Sequence, residues 1–172
     1  MASLTRSLAV LESPAKLAGT VVHGFGRGSA QLGFPTANLC INWAEKADAL
    51  TAEERDVRTF VDSNRTGIYA AWAQVATGED RGVYKVAMSV GWNPHFGDLE
   101  RKTIEAWLLH DFGADFYDRR LKLVVVGFVR PELKFDSLDE LIKEIQADGD
   151  FCRGALDDPA HARWPGDPFF AA

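Results

Sequence analysis

The chain has 172 residues, 47% of them hydrophobic, which suits one domain with its own core. Its formal net charge is -6, and that acidic balance argues against a nucleic-acid partner, which needs a basic face. Two widely spaced cysteines, Cys40 and Cys152, make neither a disulfide framework nor a zinc site and read as reduced thiols. No apolar run approaches the ~18 residues of a membrane helix. The first residues lack the apolar stretch of a signal peptide, and the last match no targeting or lipid signal. The expectation is a cytoplasmic monomer with no membrane association.

In chain order, residues 20–22 form a short strand candidate. A glycine-rich turn follows at 24–29, then a polar stretch ending in Thr36 and Asn38. Residues 42–65 are charged and rich in Ala and Glu. They read as a surface insertion with one or two short helices. Residues 67–75 read as a strand, joined by a turn around Gly78 and Gly82 to a second at 83–90. In that second strand Tyr84, Val86, Met88 and Val90 share a face at period two. Residues 103–110 alternate again, with Ile104, Ala106 and Leu108 on one face and Glu105 and Trp107 on the other. Residues 121–129 are β-branched and apolar, as in a well-buried strand.

One helix is well marked. Ser137 and Glu140 have capping-box spacing, and Leu138, Leu141, Ile142 and Ile145 make an apolar stripe. Gly149 could stop this helix or be passed. The tail at 157–172 carries Pro159, Pro165 and Pro168 and reads as irregular chain over the surface. Strands followed by one late helix predict a mainly β domain, an antiparallel barrel or sandwich with the helix packed outside. The order is not βαβ, which argues against Rossmann and P-loop folds. One domain over 1–172 is expected, with its core at about 17–150.

The chemistry concentrates between residues 24 and 38. In Gly24-Phe25-Gly26-Arg27-Gly28-Ser29, glycines permit positive φ and converging N–H groups that cradle phosphate. Arg27 and Ser29 add donors. The segment lacks a Walker A ending and G-x-G-x-x-G spacing, so taken alone it is equally a tight turn. Thr36 and Asn38 are neutral oxygen ligands sharing one face of an extended strand. That suits Mg²⁺, which takes few protein ligands in phosphoryl-transfer sites. A polar strand end would look the same.

These segments, with Leu32-Gly33-Phe34-Pro35-Thr36-Ala37-Asn38, closely resemble the signature of the riboflavin kinase family. The similarity continues through Thr66-Gly67-Ile68-Tyr69, Ser89-Val90-Gly91-Trp92-Asn93-Pro94 and Thr103-Ile104-Glu105. It extends to Asp115-Phe116-Tyr117, Val129-Arg130-Pro131-Glu132 and Phe135-Asp136-Ser137-Leu138. The resemblance implies a closed six-stranded antiparallel Greek-key barrel with a C-terminal helix outside. It implies a monofunctional enzyme making FMN and ADP from ATP and riboflavin, with Mg²⁺, or Zn²⁺ or Mn²⁺ in its place.

By the same resemblance, Glu105 is the catalytic base and Thr36 and Asn38 hold the metal. The loop Gly24, Gly26, Arg27, Gly28 and Ser29 covers the phosphates, and Thr36 also reaches them. His23, His110 and Tyr117 contact the nucleotide. Arg130, Phe135 and Leu138 contact the flavin. His23 departs from the Arg or Lys expected there, the insertion at 42–65 is longer than expected, and the tail has no counterpart. No His-x-Gly-His motif is present, so FMN and not FAD is the expected product. A non-catalytic flavin carrier with the same barrel is the rival reading.

Overall fold

The computed structural model describes residues 4–24, 32–92 and 101–172. Period-two burial sets its architecture. Along β5 (Lys102–Leu108), Ile104, Ala106 and Leu108 are buried, and Glu105 and Trp107 face the other way. β2 (Thr36–Leu39) alternates in the same way, β1 (Ala9–Val22) and β4 (Val83–Trp92) are part-buried, and β3 (Gly67–Val75) is buried along almost its whole length. β6 (Arg120–Pro131) is buried on both faces, which explains its run of apolar, β-branched residues.

Among the described residues these strands close into a ring in the order β1-β2-β5-β4-β3-β6, every neighbouring pair antiparallel. β6 returns beside β3 of the β3-β4-β5 meander, which makes a Greek key. Small inward residues such as Ala37, Ala71, Ala73 and Ala106 leave room for Tyr69, Met88 and Phe128 in the narrow interior.

β1 is much longer than the three-residue strand expected at 20–22. Its first half breaks register with β6 between Val10 and Ala15, where Pro14 sits. A proline is tolerated in a sheet at such an irregularity, and it masks the strand pattern in the sequence.

Residues 42–65 do carry helix, a 3-10 turn at Ala47–Ala49 and α1 (Ala52–Ser63), but α1 is more than surface decoration. Val57, Phe60 and Val61 belong to the cluster that fills the barrel. Both halves of a capping box start α1: Thr51 Oγ1 accepts from Glu54 N at 3.2 Å, and Glu54 Oε2 accepts from Thr51 N at 2.9 Å. Lys102 Nζ closes its far end by donating to the carbonyls of Val61 (2.6 Å) and Asn64 (2.7 Å).

The late helix is α2 (Leu138–Ala155). Ser137 Oγ accepts from Glu140 N at 3.1 Å, whereas Glu140 reaches back to Asp136 N at 3.3 Å, one residue beyond the position a capping box requires. The helix continues through Gly149 because that glycine makes room: a Cβ there would lie 2.4 Å from the Trp107 ring. α2 thus packs closely on the outer barrel wall, with Cys152 and Leu156 buried against Ala70, Trp72 and Val126.

The tail is more ordered than irregular chain. It holds a 3-10 turn at Trp164–Gly166 and α3 (Pro168–Ala171), and it buries Phe170. Trp72 Nε1 donates to His161 O at 3.1 Å, and Lys122 Nζ donates to Phe169 O at 2.9 Å.

Phe60→Ala is expected to destabilise the fold by about 3–5 kcal/mol, the usual cost of emptying an aromatic core position, as measured by denaturant titration. A loss below about 1 kcal/mol would return α1 to a peripheral role.

Candidate active site

β2 is only four residues long, yet it sets the site. Ala37 and Leu39 turn into the core, so Thr36 and Asn38 turn outward together. Sheet register then places Asn38 directly across from Glu105, and Glu105 directly across from Ser89 on β4. Residues opposite one another share a face, so a polar row crosses three strands on the outer wall. Thr36 Oγ1 lies 3.5 Å from Glu105 Oε2, a long contact. Asn38 packs against Gly24, where a Cβ would come within 2.5 Å of the Asn38 amide. That closeness brings the start of the glycine-rich turn to the polar row.

Burial pushes the Glu105 carboxyl above its usual range, and the Thr36 hydrogen bond pulls it part of the way back. Neither cause is a charge.

Two cavities meet here. One, of about 260 Å³, is roofed by the β5–β6 connection and lined by Pro35, Thr36, His110, Phe112 and Tyr117. The other, of about 390 Å³, lies between the outer barrel wall, the β6–α2 connection and α2; Thr36, Glu105, Trp107, Arg130, Phe135 and Ile145 line it. Thr36 lines both, and Glu105 lines only the larger.

In the smaller cavity His110 stacks on Tyr84 at 3.7 Å and 10°, and its Nε2 lies 2.8 Å from Asp80 Oδ2. The Asp80 carboxyl is held below its usual range, first by the Tyr84 hydroxyl, which donates to it at 2.6 Å, then by Gly82 N–H and His110. Tyr117 stacks on His23 at 3.7 Å and 22°, tying the end of β1 to the β5–β6 connection.

In the larger cavity Arg130 is 5% exposed and donates to both oxygens of Asp148, at 2.8 and 2.7 Å. Its guanidinium also lies 5.7 Å from the Phe135 ring centre. Leu138 is 58% exposed and lies outside the lining; Leu141 and Ile145, further along α2, take the apolar wall instead. Gly26, Arg27, Gly28 and Ser29 lie outside the described residues. Sequence reasoning missed Asp148, although it continues the stripe of Leu141 and Ile145, where a carboxylate demands a buried partner.

The family model described as Flavokinase: Riboflavin kinase matches residues 11–156. The chain belongs to the riboflavin kinase family. A riboflavin kinase of Mus musculus is 41% identical over 152 residues, covering 88% of this chain and 87% of that protein. A bifunctional riboflavin kinase/FMN phosphatase of Arabidopsis thaliana is 46% identical over 156 residues, covering 91% of this chain. This chain spans only 37% of that plant protein's length. The crystal structure of riboflavin kinase from Trypanosoma brucei superposes with a TM-score of 0.71 at 28% identity, covering 99% of this chain and 92% of that one. The expected barrel is therefore the riboflavin kinase fold, with its helices outside. No helix among the described residues is long and apolar enough to cross a membrane.

In this riboflavin kinase-family chain the raised Glu105 carboxyl has a stability consequence. The folded state holds that proton more tightly than the unfolded state. The group's contribution is therefore fully present below its ordinary value of 4.5 and is lost as pH rises through the folded value. Glu105→Gln removes that loss. In ligand-free protein the variant is expected to melt higher than the parent at mildly alkaline pH, the gap closing as pH falls toward 4.5. A gap that widens in acid would contradict the desolvation account.

Proposed function

We propose that the chain transfers the γ-phosphoryl group of ATP to the 5′-hydroxyl of riboflavin, giving FMN and ADP. Family membership makes it an ATP:riboflavin 5′-phosphotransferase. One observation carries the mechanism: Thr36 borders both cavities and lies 3.5 Å from Glu105. In this reading the nucleotide fills the smaller cavity beside His110 and Tyr117. The flavin fills the larger one between Trp107, Phe135 and α2, an apolar slot with Arg130 as a polar anchor. Phosphate and ribityl chain meet at Thr36.

The ribityl hydroxyl is a weak nucleophile until its proton is accepted. Glu105 takes that proton as the new O–P bond forms and the bond from the γ-phosphorus to ADP breaks. A base held above the ordinary carboxylate range keeps more proton affinity for this step than a solvated Glu. The remaining catalysis is positioning and charge stabilisation, with the loop from Gly24 to Ser29 supplying N–H donors to the phosphates.

Thr36 and Asn38 would hold the divalent cation, Mg²⁺ in the first instance. The donor set fits: two neutral oxygens on one face, with Gly24 packed against the Asn38 amide. Among the described residues no group of three or more His, Cys, Asp or Glu forms an all-protein cage. A two-ligand site completed by phosphate oxygens and water is the usual Mg²⁺ arrangement in such enzymes. When bound, the ion neutralises charge on the phosphate oxygens.

Protein mixed with ATP, Mg²⁺ and riboflavin is expected to yield FMN and no FAD on chromatography. Glu105→Gln is expected to lower kcat roughly a hundredfold or more while leaving riboflavin affinity near that of the parent. Near-normal turnover would remove Glu105 from the base role. Separately, Thr36→Ala is expected to raise the Mg²⁺ concentration for half-maximal rate several-fold. An unchanged metal dependence would take Thr36 out of the metal site.

A further inference from the structure

Arg6 lies before residue 11, where the family match begins, and no part of the mechanism above uses it. Its side chain is nonetheless largely covered, only 10% exposed. Its Nε donates to Asp148 Oδ1 at 2.8 Å, and its Nη2 donates to the Glu144 backbone carbonyl at 3.2 Å and to the Glu144 carboxylate. Arg130 grips the same Asp148 carboxylate from β6, through Nε at 2.8 Å and Nη2 at 2.7 Å. Two guanidiniums and two carboxylates thus form a neutral cluster in which Asp148 is shared, and Arg130 and Asp148 both line the larger cavity.

A guanidinium carries five N–H groups in a rigid plane. In Arg130, two are committed to Asp148 and a third goes to Pro131 O at 3.0 Å. One N–H on each terminal nitrogen remains for a ligand in the cavity. Their direction is set by how Asp148 holds the plane, and the Asp148 oxygen that accepts from Arg130 Nε is also the one that accepts from Arg6. Without Arg6, Glu144 and Asp148 would stand near one another on α2 with a single cation between them. Like-charge repulsion there would shift the carboxylate and, with it, the Arg130 plane.

We infer that Arg6 is a positioning residue for the acceptor substrate: through Asp148 it orients the free N–H groups of Arg130 toward the carbonyl-bearing edge of the flavin ring. This rests on the reading that the larger cavity takes riboflavin. It adds a residue supplied from outside the family-matched segment and acting on one substrate only, since among the described residues Arg6 does not line the nucleotide cavity.

The test is to titrate the full chain with riboflavin, following flavin fluorescence, and to measure KM for each substrate in the parent, Arg6→Ala and Arg6→Lys. Arg6→Ala is expected to weaken riboflavin binding about tenfold, the ratio typical of losing one hydrogen bond to a charged group. KM for ATP, and kcat at saturating riboflavin, should stay within about twofold, a small change on the scale where 1.4 kcal/mol is tenfold. Arg6→Lys, which restores the charge without the planar fork, should recover part of the loss. A general structural defect would instead move both KM values together, and that result overturns the inference. Should Arg6→Ala fail to fold, Arg6→Lys carries the test alone: it keeps the charge but loses the planar fork on Asp148, so riboflavin binding is expected to weaken while KM for ATP stays within about twofold, and an unchanged riboflavin affinity in it overturns the inference. Parent protein that fails to bind riboflavin removes the flavin reading and this role with it. Parent that binds riboflavin, beside a folded Arg6→Ala that binds it equally well, overturns the Arg6 role alone.

Discussion

A β-strand shifted by one residue exchanges its core face for its solvent face, and β5 is where that constraint reaches the chemistry. Ile104, Ala106 and Leu108 fill the barrel, so Glu105 and Trp107 have no freedom to do anything but face outward. The neighbouring strands obey the same rule. Asn38 and Ser89 flank Glu105 because Leu39 and Ala37 on β2, and Met88 and Val90 on β4, must point inward. The polar row is therefore a by-product of core packing. Mobility of a lone side chain is not needed to assemble it, and a slip of register would dismantle core and site together.

The same geometry explains why two cavities share a wall. A barrel whose interior is packed solid leaves its outer surface and its ends for ligands. α2 is held off the wall near its start by the β6–α2 connection and drawn tight near Gly149, where Trp107 takes up the missing Cβ. The space left between them is the larger cavity. The β5–β6 connection crosses from one side of the ring to the other and roofs the smaller one, anchored by exchange of hydrogen bonds with β1 at Val21. Thr36, at the first position of β2, stands where the two spaces touch.

Much of this was legible in the sequence, for identifiable reasons. β3 to β6 announce themselves because half-buried and fully buried strands leave strong patterns, and Ser137 marks the start of α2 through its hydrogen bond to Glu140 N. The outward placement of Thr36, Asn38 and Glu105 follows from period two alone. The first half of β1 was hidden because Pro14 and Glu12 interrupt it at the irregular pairing with β6. The core packing of α1 was hidden because helical periodicity tells which face is apolar and never what that face meets. Val57, Phe60 and Val61 have the spacing of a packed stripe, yet their contact with the barrel core is a long-range fact. Arg6 and Asp148 are the extreme case. Their meeting spans 142 positions, and no local pattern encodes it.

Two carboxylates border the larger cavity at close quarters, and their contrast separates structure from reactivity. Asp148 is 3% exposed and sits between two guanidiniums that donate to both its oxygens. A buried charge so fully matched is costly to disturb. Among the described residues Glu105 has only the long Thr36 contact to offset its burial, so its proton affinity rises. An anion left short of partners in a half-closed wall is unfavourable for folding, and it is the state a proton acceptor needs. The fold supplies a full set of partners to the carboxylate that holds α2 to the barrel, and withholds them from the one placed beside Thr36.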